Sequence, residues 1–293
     1  MREIAVISGK GGTGKTSIAA SLAVLAEKAI VVDCDVDAAD LHLLLEPRVI
    51  TTNDFYSGFT AMIRQEDCSR CGLCARLCRF NAVVEKVTGG DCLPQYHIDK
   101  IACEGCGLCV RLCPAKAIDF PQSLCGKWMV SETRVGKMVH ARLGIAAENS
   151  GKLVSTIRQE AKKIAQQEGV PLIIIDGPPG IGCPVIASVT GATEVLIVTE
   201  PTVAGEHDLE RVLLLTRHFA IPASVCVNRW DIAVAITERI EAKARQLGAK
   251  VAGRVRHDLG ITTAQLQKAT VVETASASAN DIIQLWENIQ HGA

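Results

Sequence analysis

A glycine-rich stretch near the N-terminus is the feature that most constrains how this chain can fold. Residues 9–16 read GKGGTGKT and match the pattern G-x-x-x-x-G-K-[ST], between a predicted strand at Ile4–Ser8 and a predicted helix at Thr16–Lys28. Glycines let backbone N–H groups turn toward phosphate oxygens, and the following helix adds partial positive charge. This context favours a phosphate-binding loop over a ligand-free turn. The predicted nucleotide-binding residues of the loop are Gly11, Gly12, Thr13, Gly14, Lys15, Thr16 and Ser17.

Two side chains of this loop carry its chemistry. The Lys15 ammonium supplies positive charge to the β- and γ-phosphates of a nucleotide, and the Thr16 hydroxyl is a ligand for Mg²⁺. The loop therefore predicts a nucleotide and Mg²⁺ as ligands.

Outside residues 60–125, short apolar runs alternate with helical stretches. Several runs are continuously apolar, as expected for strands that are buried on both faces of a parallel sheet. The alternation predicts an α/β fold with a doubly wound, mostly parallel sheet. The predicted strands are Ile4–Ser8, Ile30–Asp33, Leu172–Asp176, Val195–Thr199, Ser224–Asn228 and Lys250–Val255. The predicted helices are Thr16–Lys28, Gly151–Gln167, Glu206–His218, Thr237–Leu247 and Asp281–Ile289.

Charge and hydropathy argue against several classes of protein. The formal net charge is −1, which gives no bulk electrostatic reason to expect nucleic acid or an anionic membrane as a partner. No run of 18 or more apolar residues occurs, and the N-terminal apolar run is too short for a signal peptide. We therefore expect no nucleic-acid partner, no membrane partner and a cytoplasmic location.

The cysteines are concentrated in one segment. The chain has 13 cysteines, and ten of them lie between residues 60 and 125. Two similar units in this segment, CSRCGLCARLCRFNAV and CEGCGLCVRLCPAKAI, interrupt the α/β pattern. In a reducing compartment such clustering indicates metal binding rather than disulfides. We interpret residues 60–125 as an insertion, so that residues 1–59 and 126–293 together form the α/β domain.

Each cysteine unit has the spacing C-x2-C-x2-C-x3-C, which is typical of modules that hold two iron–sulfur clusters. In such modules three cysteines of one run hold one cubane, and the fourth holds the other. Zinc is the weaker alternative, because zinc sites usually pair two C-x2-C units across a long gap. The predicted ligands are Cys68, Cys71, Cys74 and Cys113 for one [4Fe–4S] cluster, and Cys103, Cys106, Cys109 and Cys78 for the other.

The cysteine segment resembles bacterial two-cluster ferredoxins over its whole length, so that an α+β ferredoxin-like domain is expected there. One departure is Arg79, which follows Cys78 where ferredoxins usually have proline. Proline would only stiffen the turn, so we expect ligation to survive. A nearby arginine favours the reduced, more negative cluster. This predicts the higher potential for the cluster that Cys78 ligates.

The glycine-rich loop contains a second lysine, Lys10, which gives it the form K-G-G-T-G-K-T. This form resembles the deviant Walker A motif of the MinD/ParA/Mrp group of P-loop ATPases, and the resemblance covers nearly all of the α/β portion. It implies ATP and Mg²⁺ as ligands, ATP hydrolysis, and an ATP-dependent homodimer in which Lys10 reaches the partner's nucleotide. A solvated loop lysine is the alternative for Lys10.

Carboxylates follow two of the predicted strands, where side chains of open α/β sheets point into the ligand crevice. By the resemblance, Asp35 orients the attacking water and contributes to the Mg²⁺ site, and Asp176 holds Mg²⁺ through water. Gly180 is then a hinge or a donor to the γ-phosphate. The other carboxylates, expected to support this site, to cap or to be solvated, are Asp33, Asp37 and Asp40.

Two further positions follow from the same resemblance. Asn228 matches the family asparagine that reads the edge of adenine, with a turn asparagine as the alternative. Cys183 is a candidate ligand for a cluster or metal at a dimer interface, as in the nitrogenase iron protein, with a structural thiol as the alternative. The remaining cysteines are Cys34 and Cys226, expected to be small buried residues, and Cys92 and Cys125, expected to be free thiols.

These features support two functional hypotheses. In the first, the chain is an ATP-driven redox protein, in which hydrolysis resets a dimer and two clusters relay low-potential electrons to a protein partner. In the second, it is an iron–sulfur carrier or assembly scaffold of the Mrp type, and the cluster is cargo for an acceptor protein. Membrane positioning of the MinD type is disfavoured, because the C-terminal NDIIQLWENIQHGA contains no Lys or Arg.

Overall fold

The computed structural model describes residues 1–86, 94–144 and 150–291. These residues form two compact units. The first unit holds Met1–Asn53, Lys127–Leu143 and the described residues from 150 onward. The second unit holds the described part of Asp54–Gly126 together with Gly144. The sequence-based limits of the insertion, residues 60 and 125, fall inside the second unit.

The helices and strands follow each other along both units. The strands are β1 (Arg2–Ser8), β2 (Ile30–Asp33), β3 (Arg48–Phe59), β4 (Met62–Ile63), β5 (Val83–Lys86), β6 (Gln95–Ile98), β7 (Ile118–Asp119), β8 (Gln122–Thr133), β9 (Gly136–Leu143), β10 (Leu172–Pro179), β11 (Glu194–Thr199), β12 (Ala223–Asn228) and β13 (Lys250–Val255). The α-helices are α1 (Lys15–Leu25), α2 (Leu41–Leu45), α3 (Leu73–Leu77), α4 (Leu108–Leu112), α5 (Ser150–Glu168), α6 (Cys183–Val189), α7 (Val203–His218), α8 (Val234–Gln246), α9 (Leu259–Leu266) and α10 (Ala277–His291).

A large, mostly parallel sheet organises the first unit. Its strand order is β13-β12-β11-β1-β10-β2-β9-β8-β3, and the strands from β13 to β9 pair in parallel. Strand β2 and nearly all of β1 and β11 are buried, as their continuously apolar sequences predict. The predicted α/β fold with a mostly parallel sheet is therefore confirmed.

The helices of the first unit bury apolar stripes against this sheet. On α1, Ile18 and Leu22 are buried in one core cluster with Ile4 of β1 and Ile174 of β10. The stripe on α5 predicted from its 3.6-residue periodicity is fully buried: it consists of Leu153, Val154, Ile157, Ala161, Ile164 and Ala165. None of the helices in the described ranges is long and apolar enough to cross a membrane.

The register of the central strands brings three loops together. Val6 of β1 lies opposite Asp176 of β10, and Asp176 lies opposite Asp33 of β2. Because all three strands run in the same direction, the loops after them leave from the same edge of the sheet. The glycine-rich loop, Asp176 of β10 and Asp33 of β2 therefore meet there.

The second unit reflects the internal repeat of its sequence. Strands β4 and β7 form one antiparallel pair, and β5 and β6 form another. Helices α3 and α4 occupy equivalent positions in the two cysteine runs, and neither has a buried residue. This unit therefore has much less apolar packing in its helices than the first unit has.

A buried histidine on β9 makes the first unit sensitive to acid. His140 Nε2 lies 2.8 Å from the hydroxyl of Ser131, and burial together with His42 and Arg142 lowers the pKa of His140 from 6.5 to about 4. The unfolded chain therefore binds this proton more tightly than the folded one does. The contribution to stability is complete above about pH 6.5 and is lost as the pH falls toward 4.

We predict that, between pH 7.5 and pH 5.0, the wild-type protein loses about 2 kcal/mol more unfolding free energy than the His140→Gln variant does, because glutamine does not titrate. Urea unfolding of both proteins at the two pH values, followed by circular dichroism, measures the difference. Equal losses of unfolding free energy in both proteins would show that His140 does not carry this sensitivity.

Candidate functional site

The glycine-rich loop connects β1 to α1 as its sequence predicts. Gly14 precedes the helix with φ 85°, a left-handed conformation that favours glycine. A Cβ atom at this position would overlap Nδ2 of Asn228. The loop lines an open cavity of about 640 Å³ together with Asp35, Pro179 and residues of α9. The cavity is large enough for a nucleotide.

Lys15 lies between two carboxylates at the base of this cavity. Its Nζ is 3.2 Å from Asp35 Oδ2 and 3.2 Å from Asp176 Oδ1. The three side chains are 7%, 14% and 1% exposed, respectively. Burial lowers the pKa of Lys15, but the charges of Asp176 and Asp35 outweigh this effect, and the pKa lies above its usual value. The ammonium therefore stays protonated and compensates two carboxylates that burial would otherwise make costly.

Asp33 supports the loop that follows β2. Its carboxylate accepts hydrogen bonds from the backbone N–H of Asp35 (3.1 Å) and of Leu41 (3.3 Å). Burial, followed by the charge of Asp176, raises the pKa of Asp33 well above its usual value. The Asp33 carboxyl group thus holds the backbone of the loop that carries Asp35.

One oxygen of Asp176 has the chemistry of an unfilled metal ligand. Asp176 Oδ2 is buried and has no hydrogen-bond partner among the described residues. Burial raises the pKa of Asp176, although Lys15 and the Thr16 hydroxyl oppose this effect. The oxygens of Thr16, Asp35 and Asp176 are hard donors of the kind that Mg²⁺ prefers. The residues present therefore fit this ion.

Lys10 is engaged within its own chain. Its Nζ lies 2.5 Å from Glu200 Oε1, and the other oxygen of Glu200 lies 3.2 Å from Nη1 of Arg229. Lys10 also approaches the Thr202 hydroxyl, at 3.4 Å. Glu200 follows β11, far from the loop in sequence, so this partner is not visible from the motif. Any contact of Lys10 with a second subunit requires this pair to open.

Asn228 is built into the support of the phosphate loop. Its Nδ2 donates to the carbonyl oxygen of Thr13 at 2.8 Å, and its Oδ1 accepts from the backbone N–H of Arg229 at 3.0 Å. The side chain is buried. In this arrangement the Asn228 side chain holds the phosphate loop in place. The sequence had led us to expect a contact with adenine at this position.

The Gly180 backbone has a hydrogen-bond partner within its own chain. Its N–H donates to the carbonyl oxygen of Ser8 at 2.8 Å. A contact with a γ-phosphate requires this hydrogen bond to open. Gly180 therefore links the loop after β10 to the end of β1 in this state.

The far wall of the cavity lies on and before α9. Sequence reasoning missed the wall residues of α9 itself, where Gln265 Nε2 donates to the Ser17 hydroxyl at 2.8 Å. Asp258 caps α9 by accepting from the N–H of Gly260 at 2.7 Å. An aspartate immediately before an apolar-periodic stretch is a recognisable helix-start signal. The wall residues in this region are His257, Asp258, Ile261, Thr262 and Gln265.

The predicted cluster ligands line two separate cavities of the second unit. On the same measure as the 640 Å³ cavity, each of these two cavities has a volume of about 20 Å³. The first cavity is lined by Cys68, Cys71, Cys74 and Cys113, and the second by Cys78, Cys103 and Cys106. Cys109 lines both cavities.

Two of these sulfurs accept backbone hydrogen bonds at equivalent positions. The N–H of Ala82 donates to Cys78 Sγ at 3.3 Å, and the N–H of Ala117 donates to Cys113 Sγ at 3.4 Å. Within residues 1–86, 94–144 and 150–291, no group of three or more His, Cys, Asp or Glu side chains closes around a single ion position. The sulfurs of the described residues thus surround two cavities and do not converge on a single ion position in either one.

The remaining cysteines have different environments. Cys34 and Cys226 are fully buried in the first unit. Buried Cys125 donates from Sγ to the carbonyl oxygen of Ser57 at 3.0 Å. Exposed Cys183 is the first residue of α6. Cys92 lies outside the described residues.

We predict that Lys15→Met destabilises the nucleotide-free protein by about 3–5 kcal/mol, because it leaves buried carboxylates without their cation. Adding Asp176→Asn should restore part of this loss. The deficit should shrink as the pH falls from 8 to 5.5, because carboxyls with raised pKa values can then take up protons in the folded state. Urea unfolding measures all three proteins. A deficit that is independent of pH would contradict the charge explanation.

We also predict that Asn228→Ala weakens ATP and GTP binding about equally, by about five- to tenfold, because it removes the hydrogen bond that holds Thr13. Calorimetric titration with each nucleotide measures the effect, and Asn280→Ala, at an exposed position of α10, is the matched control. A loss confined to ATP would instead assign Asn228 to adenine recognition.

Comparison with known proteins identifies a family that this chain matches. A model of the CobQ/CobB/MinD/ParA nucleotide binding domain matches residues 4–271. An uncharacterized protein of Methanocaldococcus jannaschii is 34% identical over 236 residues, which cover 78% of this chain and 78% of that protein. An uncharacterized ATP-binding protein of the same organism is 25% identical over 253 residues, which cover 84% of this chain and 67% of that protein.

Solved structures share the fold of the chain. The cell division ATPase MinD of Pyrococcus furiosus has a TM-score of 0.58 and 17% identity, with 100% of this chain and 99% of that chain covered. The septum site-determining protein MinD of Pyrococcus horikoshii, complexed with Mg-ADP, has a TM-score of 0.58 and 18% identity, with 98% and 95% covered. Since the family model spans β1 to the segment after α9, the chain belongs to the CobQ/CobB/MinD/ParA family of nucleotide-binding domains.

Proposed function

We propose that this chain hydrolyses MgATP and couples its nucleotide cycle to electron transfer through two [4Fe–4S] clusters. Family membership and the loop around Lys15 support the nucleotide half of the proposal. One relative is named an ATP-binding protein, and one structural neighbour was solved with Mg-ADP. The observation that carries the other half is the separation of eight cysteines into two cavities of the same chain.

In the nucleotide site, Lys15 exchanges one set of negative partners for another. Without nucleotide its ammonium compensates Asp35 and Asp176. With ATP it turns toward the β- and γ-phosphates, and its burial stays compensated by charge. Thr16 and Asp176 would hold Mg²⁺, which would supply positive charge to the phosphates and to the carboxylates.

Asp35 suits the role of orienting the attacking water. It is more exposed than Asp176 and lines the open cavity, and Asp33 holds its backbone. In hydrolysis the water oxygen forms a bond to the γ-phosphorus, and the bond to the bridging oxygen of ADP breaks. Asp35 accepts a hydrogen bond from that water and directs its lone pair at the phosphorus.

An ATP-dependent homodimer requires Lys10 to change partners. Its pair with Glu200 joins side chains that are 31% and 16% exposed. Ion pairs at such positions contribute about 1 kcal/mol or less. A partner's phosphate, which carries more charge, can therefore draw Lys10 away at small cost.

The chemistry of the second unit favours iron–sulfur clusters over zinc. Eight thiols surround two cavities, and backbone N–H groups donate to sulfur at matched positions. Such hydrogen bonds are typical of cluster-bound thiolates and influence the potential. Each cluster would supply one-electron redox chemistry when bound. The cysteines of each cavity would hold it.

The strand order supports coupling between the two halves. The chain leaves the first unit within β3 and returns within β8, and both strands belong to the sheet that contains β2. The loop after β2 presents Asp35. Rearrangement of this loop on hydrolysis can therefore be transmitted along hydrogen-bonded strands to the cysteine segment.

Cluster delivery to an acceptor protein is the second candidate function. Cys71 and Cys106, one in each cavity, are exposed. Exposed ligands permit thiol exchange with an acceptor. In this case the cluster is the cargo and ATP controls its release.

We predict that the full chain, purified without oxygen, contains about eight irons and hydrolyses ATP. Addition of MgATP should shift at least one cluster potential in an EPR-monitored redox titration. Asp35→Asn is the matched variant: it should retain iron and ATP binding and lose about 100-fold in hydrolysis rate.

Three results would contradict the proposal in separate ways. Zinc in place of iron would remove the clusters. Asp35→Asn with normal hydrolysis would remove the catalytic assignment. Potentials that ignore MgATP, combined with transfer of iron and sulfide to an apo-ferredoxin, would replace electron transfer by cluster delivery.

A further inference from the structure

The two cysteine cavities differ at one pair of equivalent positions. Gly72 follows Cys71 in the first run, and Gly107 follows Cys106 in the second. An aromatic ring lies over each glycine. A Cβ atom at Gly72 would lie 2.7 Å from Tyr96 Oη, whereas a Cβ atom at Gly107 would lie 3.2 Å from Cε1 of Phe120. The first cavity therefore has a hydroxyl where the second has a hydrocarbon edge.

Tyr96 is fixed in this place by its surroundings. It lies on β6, is 7% exposed and lines the first cavity. Its backbone carbonyl accepts from Gln65 Nε2 at 2.7 Å. The hydroxyl thus lies at the wall of the first cavity, over Gly72.

The hydroxyl of Tyr96 is protonated at neutral pH, because the ordinary pKa of a tyrosine is about 10. A protonated hydroxyl is a hydrogen-bond donor. From the wall of the first cavity, this donor can form a hydrogen bond to a sulfur of a group that is held there.

The ring at the second cavity has no such donor. Phe120 lines that cavity and stacks on Phe59, with the ring centroids 5.0 Å apart. The corresponding aromatic ring in the lining of the first cavity is that of Tyr96. The difference between the two cavities at this position is therefore one hydroxyl group.

We propose that the Tyr96 hydroxyl raises the reduction potential of the cluster held by Cys68, Cys71, Cys74 and Cys113. This inference rests on the clusters of the proposed function. Reduction adds negative charge to the cluster and its sulfurs, and a hydrogen-bond donor stabilises the more negative state. Phe120 gives the other cluster no equivalent stabilisation.

The charge of Arg79 affects the cluster of the second cavity, and it acts through solvent rather than through the protein interior. It follows Cys78, a ligand of the second cavity, and its side chain is exposed. Solvent screens an exposed charge, whereas the Tyr96 hydroxyl is buried. Substitutions at the two positions therefore change different potentials.

Tyr96→Phe tests this inference in the full, anoxically purified chain. The reduction equilibrium of the first cluster should become about tenfold less favourable, which for one electron corresponds to about 59 mV. The second potential should stay unchanged, and the iron content should stay at the wild-type value. Cys68→Ser, which alters the EPR signal of the first cluster, assigns that signal.

Phe120→Tyr is the matched control. It adds a hydroxyl at the second cavity and should raise only the second potential. A Tyr96→Phe protein with full iron and two unchanged potentials would overturn the inference, and so would equal shifts of both potentials. A wild-type protein without iron would instead overturn the proposed function, so the two failures are distinguishable.

Discussion

The ammonium of Lys15, placed between two buried carboxylates, is the interaction on which the nucleotide-binding unit depends. Asp176 lies on β10 and Asp35 in the loop after β2, and both lie 3.2 Å from the same nitrogen. Carboxylates this deeply buried are tolerated only with a paired cation. The parallel neighbours β1, β10 and β2 deliver these groups to one edge. The same charges that stabilise the empty site are then the ones that a nucleotide and Mg²⁺ rearrange.

The second unit is organised by a different constraint. Its helices α3 and α4 have no buried residues, and its strands form two short antiparallel pairs. Apolar burial of this kind contributes little to stability in a small unit. Bound groups held by several thiolates contribute folding free energy directly. Under the proposed function, the eight cysteines that line the two cavities would supply such ligands.

The predicted strands matched the structure where burial dominates their sequence. The six predicted strands correspond to β1, β2 and β10–β13, and Ile30–Asp33 and Lys250–Val255 have the predicted limits. Strands β3, β8 and β9 of the same sheet were missed. Most residues of β3 are exposed, and β8 mixes polar with apolar side chains, so neither shows a continuous apolar run. Their place in the sheet depends on pairing with neighbours.

The sequence by itself determined the phosphate loop, the strand-end aspartates and the two sets of four cysteines, because these depend on spacing along the chain. Only the tertiary structure decided that Asn228 holds Thr13, that Lys10 pairs with Glu200 and that Tyr96 lies over Gly72. In two of these pairs the partners are separated by well over a hundred residues. No periodic pattern along the sequence indicates any of the three contacts. Which side chains meet across such separations is set by how helices and strands pack.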